Sequence, residues 1–219
     1  MKKLSLFLAF SFIFLFFVSA QENNQQNKEE KEYSNKKFFL GLGAKGNVFV
    51  NDNARDDFEV WKKPSFSGNL FLGKWFSDKW GARISLEGGK LTPYFQERTW
   101  KEKESYFLGR VDLLFNLTNC FREYEPDQFY NLSPYVGIGG AHAFNAVKRP
   151  DNAKKSSSFV FAGGLLNTFR VADNFSIYLN LGLDVVDAKL DGYKGKKKFN
   201  GIAAGTIGLI YTFGDDSKN

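Results

Sequence analysis

After residue 36 the sequence alternates apolar and polar residues with a period of two, and it keeps returning to that period as far as Phe213. Period two is the repeat of an extended strand, whose successive side chains point to opposite faces. The stretch 174–186 is the strictest case. Phe175, Ile177, Leu179, Leu181, Leu183 and Val185 fall on one face, and Ser176, Tyr178, Asn180, Gly182 and Asp184 on the other. Residues 105–117 set Phe107, Gly109, Val111, Leu113, Phe115 and Leu117 against Arg110, Asp112, Leu114 and Asn116. Residues 80–89 set Ala82, Ile84 and Leu86 against Arg83, Ser85 and Glu87. In 37–50, Phe38, Leu40, Leu42, Ala44, Gly46, Val48 and Val50 oppose Phe39, Gly41, Gly43, Lys45, Asn47 and Phe49. Four further segments, 65–76, 132–144, 156–170 and 199–213, alternate less cleanly but have the length and glycine content of strands. The result is eight predicted strands of about 10–14 residues, each long enough to cross a bilayer at a tilt.

The segments between the strands alternate in kind. Ser77-Asp78-Lys79 and Val171-Ala172-Asp173 read as short turns, and 118–131 as a longer one. The segments near 51–64, 90–104, 145–157 and 187–198 are long and heavily charged. Short turns at one end and long loops at the other are the plan of an outer-membrane barrel.

The N-terminus fits that destination. Lys2 and Lys3 precede an apolar run from Leu4 to Val18, and Val18-Ser19-Ala20 has the small residues of a cleavage site. Residues 1–20 are therefore expected to be a secretory signal peptide, too short for a comfortable membrane helix. Residues 21–36 are polar and aperiodic and are expected to be disordered. The barrel is expected over 37–213, with 214–219 as a C-terminal tail. After cleavage the formal charge falls from +6 to +4 (6 − 2), a mild excess. An exported chain is not expected to meet nucleic acid. The lone thiol, Cys120, forms no internal disulfide and is expected to be shielded by packing. One His and one Met leave little material for a metal site, and no cofactor is expected.

Alternation alone does not say which face is outside, since a soluble lipocalin-like barrel would turn its apolar face inward. Three features favour lipid. The polar face carries Gly, Asn, Ser and Thr rather than the Lys and Glu of a wetted surface. Its charges balance, with Lys45, Arg83 and Arg110 against Glu87, Asp112 and Asp184. Enclosed charges persist only when paired, because desolvation costs several kcal/mol each. The apolar face ends in aromatics, among them Phe66, Phe76, Trp80, Phe175, Tyr211 and Phe213, as interfacial girdles do. The expectation is an integral outer-membrane protein of a Gram-negative cell, with an ionic network across the lumen. Arg83–Asp112 and Arg110–Glu87 fall on neighbouring strands at similar heights, with Lys45 and Asp184 placed to join them.

The final strand carries a further signal. Thr206, then Gly208, then Tyr211 and Phe213 resemble the pattern read by the outer-membrane assembly machinery, which is thus an expected partner. The stretches Asp112 to Asn119, Pro134 to Gly139, Gly68 to Phe76 and Trp80 to Arg83 resemble the barrel domain of OmpA-like proteins from Bacteroidetes. That resemblance covers about 37–213. It implies an eight-stranded barrel and accounts for the long turn at 118–131. Such proteins often carry a second, peptidoglycan-gripping domain. The sequence stops six residues after the barrel, at Asn219, so that activity is not carried over.

Gly41-Leu42-Gly43-Ala44-Lys45-Gly46 matches a dinucleotide fingerprint, but strand periodicity runs through it where a helix is required. The glycines are expected to make room inside a narrow barrel. His142 raises the possibility of a lipid A-modifying barrel enzyme. A deacylase of that type would carry Ser two residues later, where Phe144 stands, although Ser156 to Ser158 lie just across the loop. Lys194, Lys196, Lys197 and Lys198, and likewise Lys148, Arg149, Lys154 and Lys155, make two loops basic. Such Lys are candidates for contact with lipopolysaccharide phosphates, as point charges. Taken together, the sequence predicts a structural or surface-interaction protein, scaffold or adhesin, and not an enzyme. A lipid A enzyme and a narrow pore are the alternatives.

Overall fold

The computed structural model describes residues 38–50, 64–91, 104–122, 128–144, 156–187 and 199–213. They form eight antiparallel strands: β1 (Phe38–Val50), β2 (Ser65–Trp75), β3 (Trp80–Leu91), β4 (Glu104–Phe115), β5 (Tyr130–Phe144), β6 (Ser156–Ala172), β7 (Phe175–Asp187) and β8 (Phe199–Phe213). Each strand pairs with its sequence neighbours, and β8 pairs with β1, so the sheet closes into an up-and-down barrel.

The register fixes the shape of the barrel. Paired residues can be followed around it from Phe38 through Lys74, Ala82, Leu113, Val136, Gly163, Leu183 and Ala203. The circuit returns to β1 at Val48, a stagger of ten residues (48 − 38). With eight strands, that stagger demands a tilt of roughly 40° from the barrel axis. At ~3.3 Å per residue, the outward residues of β6 from Phe159 to Val171 then span roughly 30 Å along the axis. That is close to the thickness of a bilayer's hydrocarbon core.

Burial follows the predicted alternation. Leu42, Leu72, Ile84, Val111, Val136, Ile138, Leu181 and Leu209 point outward and are exposed. Lys45, Arg83, Glu87, Arg110, Asp112 and Asp184 point inward and are buried. Exposed aromatics ring both ends of the outer face. Phe38, Phe76, Trp80, Phe175 and Phe213 lie at the end with short turns, and Phe66, Phe107, Phe144, Phe159 and Phe199 at the other. The outward Asn167 is satisfied locally. It accepts from the Tyr130 hydroxyl at 2.7 Å and donates to the Leu179 carbonyl at 3.3 Å.

Several details differ from the sequence reading. The turn before β7 is Asp173-Asn174, because β6 runs on to Ala172 over a bulge between Arg170 and Ala172. β4 stops at Phe115, and a one-turn helix, α1 (Thr118–Phe121), occupies the start of the longer turn. Side-chain bonds hold α1 against the barrel rim. The Asn119 backbone N–H donates to Asn116 Oδ1 (3.1 Å), Asn119 Nδ2 donates to the Asp78 carbonyl (2.6 Å), and the Leu132 N–H donates to Thr118 Oγ1 (2.8 Å). Cys120 is exposed, not shielded: on so short a helix it is Asn119 that turns inward. Val48, assigned to the outer face, is buried at the end of the barrel with long connections.

Candidate functional site

The interior is built in three layers. At its middle the six charged side chains meet. Lys45 Nζ on β1 donates to Glu87 Oε2 on β3 (2.5 Å) and to Asp184 Oδ2 on β7 (3.0 Å). Arg110 on β4 reaches three carboxylates. Its Nη1 lies 2.6 Å from Asp184 Oδ1 and 3.3 Å from Glu87 Oε1, and its Nε lies 2.9 Å from Asp112 Oδ1. Arg83 on β3 donates from Nε to Asp112 Oδ2 (2.7 Å), which also accepts from the Ser85 hydroxyl (3.2 Å). Three cations and three anions thus form one connected set. Arg110 is its hub, and Lys45 and Asp184 bring in β1 and β7.

Below the charged layer, toward the short turns, sits an apolar and aromatic cluster. It contains Phe39, Phe71, Leu114, Tyr135, Leu166, Tyr178 and Ile210, with Trp75 packed against it. Arg83 spans the boundary. Its guanidinium lies 4.4 Å from the Tyr135 ring centre and 4.9 Å from that of Phe71, a cation held on aromatic faces. The polar tips of the rings stay bonded: Tyr178 donates to Asn69 Oδ1 and Tyr135 accepts from Asn180 Nδ2, both at 3.3 Å. Above the charges lies a second apolar cluster, with Phe49, Leu91, Tyr106, Leu108, Val160, Val186 and Ile202. Tyr106 and Asn47 link it to Ser67 at 3.2 and 3.0 Å.

Glycine makes this packing possible. A Cβ on Gly41 would overlap the Phe71 ring, and one on Gly43 or Gly208 would run into Tyr178 and neighbouring backbone. In the G-x-G-x-x-G match, Gly41 and Gly43 are explained by the rings they admit, whereas a Cβ on Gly46 would have room.

The predicted site residues therefore divide. The six lumen charges come together. In the final strand, Thr206 is buried inside next to Lys45 in register, Gly208 yields to Tyr178, and Tyr211 and Phe213 project outward. Tyr211 stacks between Phe175 (5.1 Å) and Phe213 (4.9 Å). Lys194, Lys196, Lys197 and Lys198, with the basic residues of 145–155, lie outside the described residues, as do residues 1–37. His142 stands apart from the charged layer on the outer face, with Nδ1 2.8 Å from Ser157 Oγ. Sequence reasoning missed the two apolar clusters. Their only signal was the presence of Phe39, Phe49, Leu114 and Tyr178 at inward positions of the alternation.

Similarity to known proteins is consistent with this geometry. The chain is 26% identical to Outer membrane protein 40 of Porphyromonas gingivalis, over an alignment taking in 98% of this chain and 58% of that protein. It is 27% identical to Outer membrane protein 41 of the same organism, over 56% of this chain and 31% of that protein. The chain is an eight-stranded outer-membrane β-barrel. It spans a little over half the length of the first of these relatives. Among solved structures, Neisserial surface protein A superposes with a TM-score of 0.50 at 9% identity, covering 80% of this chain and 97% of that one, which bears on the fold alone. No family model matches. In this barrel the apolar outer face meets lipid, and the described interior side chains form three layers inside it.

Proposed function

We propose that the barrel is a sealed membrane scaffold that holds its four long connections at the cell surface for interaction, and that it neither conducts nor catalyses. One observation carries this reading: among the described residues, three cations and three anions form an ionic layer inside the barrel between two buried apolar clusters. Eight strands leave an interior just wide enough for side chains to fill. The short turns face the periplasm and the long connections the exterior, as in other outer-membrane barrels. On this reading residues 1–20 direct export, the 206–213 strand is read during assembly, and Lys194 and Lys196 to Lys198 meet lipopolysaccharide phosphates.

The acyl-hydrolase alternative draws on the contact between His142 and Ser157. A hydrolytic triad sets the imidazole between hydroxyl and carboxylate. Here Ser157 lies on β6, between His142 on β5 and Asp187 on β7, which is the wrong order for that relay.

Planar-bilayer recording tests the scaffold reading. The purified barrel is expected to leave the membrane resistance unchanged. Steady, large conductance from the folded protein overturns the reading.

A further inference from the structure

Among the described residues, the outer surface carries a polar pair at the end with long connections that the scaffold reading leaves unused. His142 on β5 is flanked in register by Phe107 on β4 and Ser157 on β6. Its Nδ1 lies 2.8 Å from Ser157 Oγ, and Phe144 meets the imidazole edge to face at 4.7 Å. Phe159, next along the outer face of β6 after Ser157, is 83% exposed. The pair therefore lies just beyond the apolar span that begins at Phe159, at the depth where lipid headgroups start.

The chemistry at that depth is selective. An imidazole has two ring nitrogens, and a hydroxyl has one donor and two acceptor sites. Their mutual bond uses one donor and one acceptor, and leaves one further donor on the imidazole or on the hydroxyl. Unbonded polar groups facing hydrocarbon cost free energy, so this placement favours a ligand that brings hydrogen-bonding groups to the aromatic girdle. A phosphate oxygen accepts from the donor left over, and the apolar faces of a sugar ring fit the exposed phenyl rings around the pair. We infer that His142 and Ser157, framed by Phe107, Phe144 and Phe159, bind the phosphorylated glucosamine headgroup of lipid A in the outer leaflet. The inference rests on the orientation given under Proposed function, with this end of the barrel outside.

His142 is the sole histidine of the chain, so isotope-labelled histidine in the untagged barrel gives a single imidazole signal. The barrel in phosphatidylcholine nanodiscs is titrated with lipid A, and separately with phosphatidylglycerol to the same anionic charge. Lipid A is expected to shift the His142 signal saturably, phosphatidylglycerol is not, and Ser157→Ala is expected to weaken the lipid A response by about tenfold. No shift with lipid A, an equal shift with phosphatidylglycerol, or an unchanged affinity in Ser157→Ala overturns the inference. Contacts from the outward Ile138 methyls to acyl chains are read in the same samples. If Ile138 touches lipid while His142 stays silent, the headgroup site fails and the membrane reading stands. If Ile138 touches no lipid, the membrane reading itself fails.

Discussion

Arg110 and Arg83 are both buried arginines paired with Asp112, but their surroundings give them unequal weight. Removing Arg110 leaves Glu87, Asp112 and Asp184 without their shared cation, with Lys45 the only positive charge left beside two of them. Removing Arg83 leaves Asp112 still 2.9 Å from Arg110 and bonded to Ser85. Stranding buried charge costs about 3–5 kcal/mol, so Arg110→Ala is expected to lower unfolding stability by that amount. Arg83→Ala loses one charge-assisted bond and two ring contacts, a smaller cost of about 2 kcal/mol. Urea titration of the barrel in lipid vesicles, followed by tryptophan fluorescence, measures both. Equal midpoints for the two variants and the parent would remove the network as a source of stability. The six charges were legible in the sequence because charge at an inward position of a lipid-bound strand has no other means of compensation than pairing. Tyr135 and Phe71 were not, because a large ring at an inward position only makes the alternation look irregular. Cys120 was misjudged because its burial depends on which way a single helical turn faces.

At the scale of the strand, glycine has two different roles that the sequence does not distinguish. Inward glycines such as Gly41 and Gly208 border rings or backbone that a Cβ would strike. Outward Gly68 is exposed, and the nearest atom to a Cβ there is the Gly88 carbonyl oxygen at 4.0 Å. Gly208→Ala is therefore expected to destabilise the barrel by about 1–3 kcal/mol through overpacking. Gly68→Ala is expected to raise stability by about 0.4–1 kcal/mol, since it restricts the unfolded chain without strain in the folded one. Gly41→Ala should be partly rescued by Phe71→Leu, because the obstruction there is a side chain. Denaturation midpoints of the four proteins check the set, and a destabilised Gly68→Ala or a neutral Gly208→Ala would contradict it. The strand boundaries themselves were largely legible. The clearest, β3, β4 and β7, keep one face free of polar side chains except at the end with long connections. β2, β5, β6 and β8 read less cleanly because both faces carry apolar or small residues, one toward lipid and the other toward the interior plugs.

For the molecule as a whole, the stagger of ten residues, the tilt it imposes and the apolar span of roughly 30 Å describe one object: a closed cylinder matched to a bilayer. A soluble carrier with the same strand count would invert it, with Leu and Phe lining a cavity and charge outside. The decisive distinction is which face of β7 touches hydrocarbon. Single spin labels placed at successive positions from Ser176 to Asp184, in a Cys120→Ser background in lipid bilayers, report it through collisions with dissolved oxygen. Maxima are expected at Ile177, Leu179, Leu181 and Leu183, with minima at Tyr178, Asn180, Gly182 and Asp184. The opposite phase, with oxygen contact greatest at Tyr178, Asn180 and Asp184, would contradict the account.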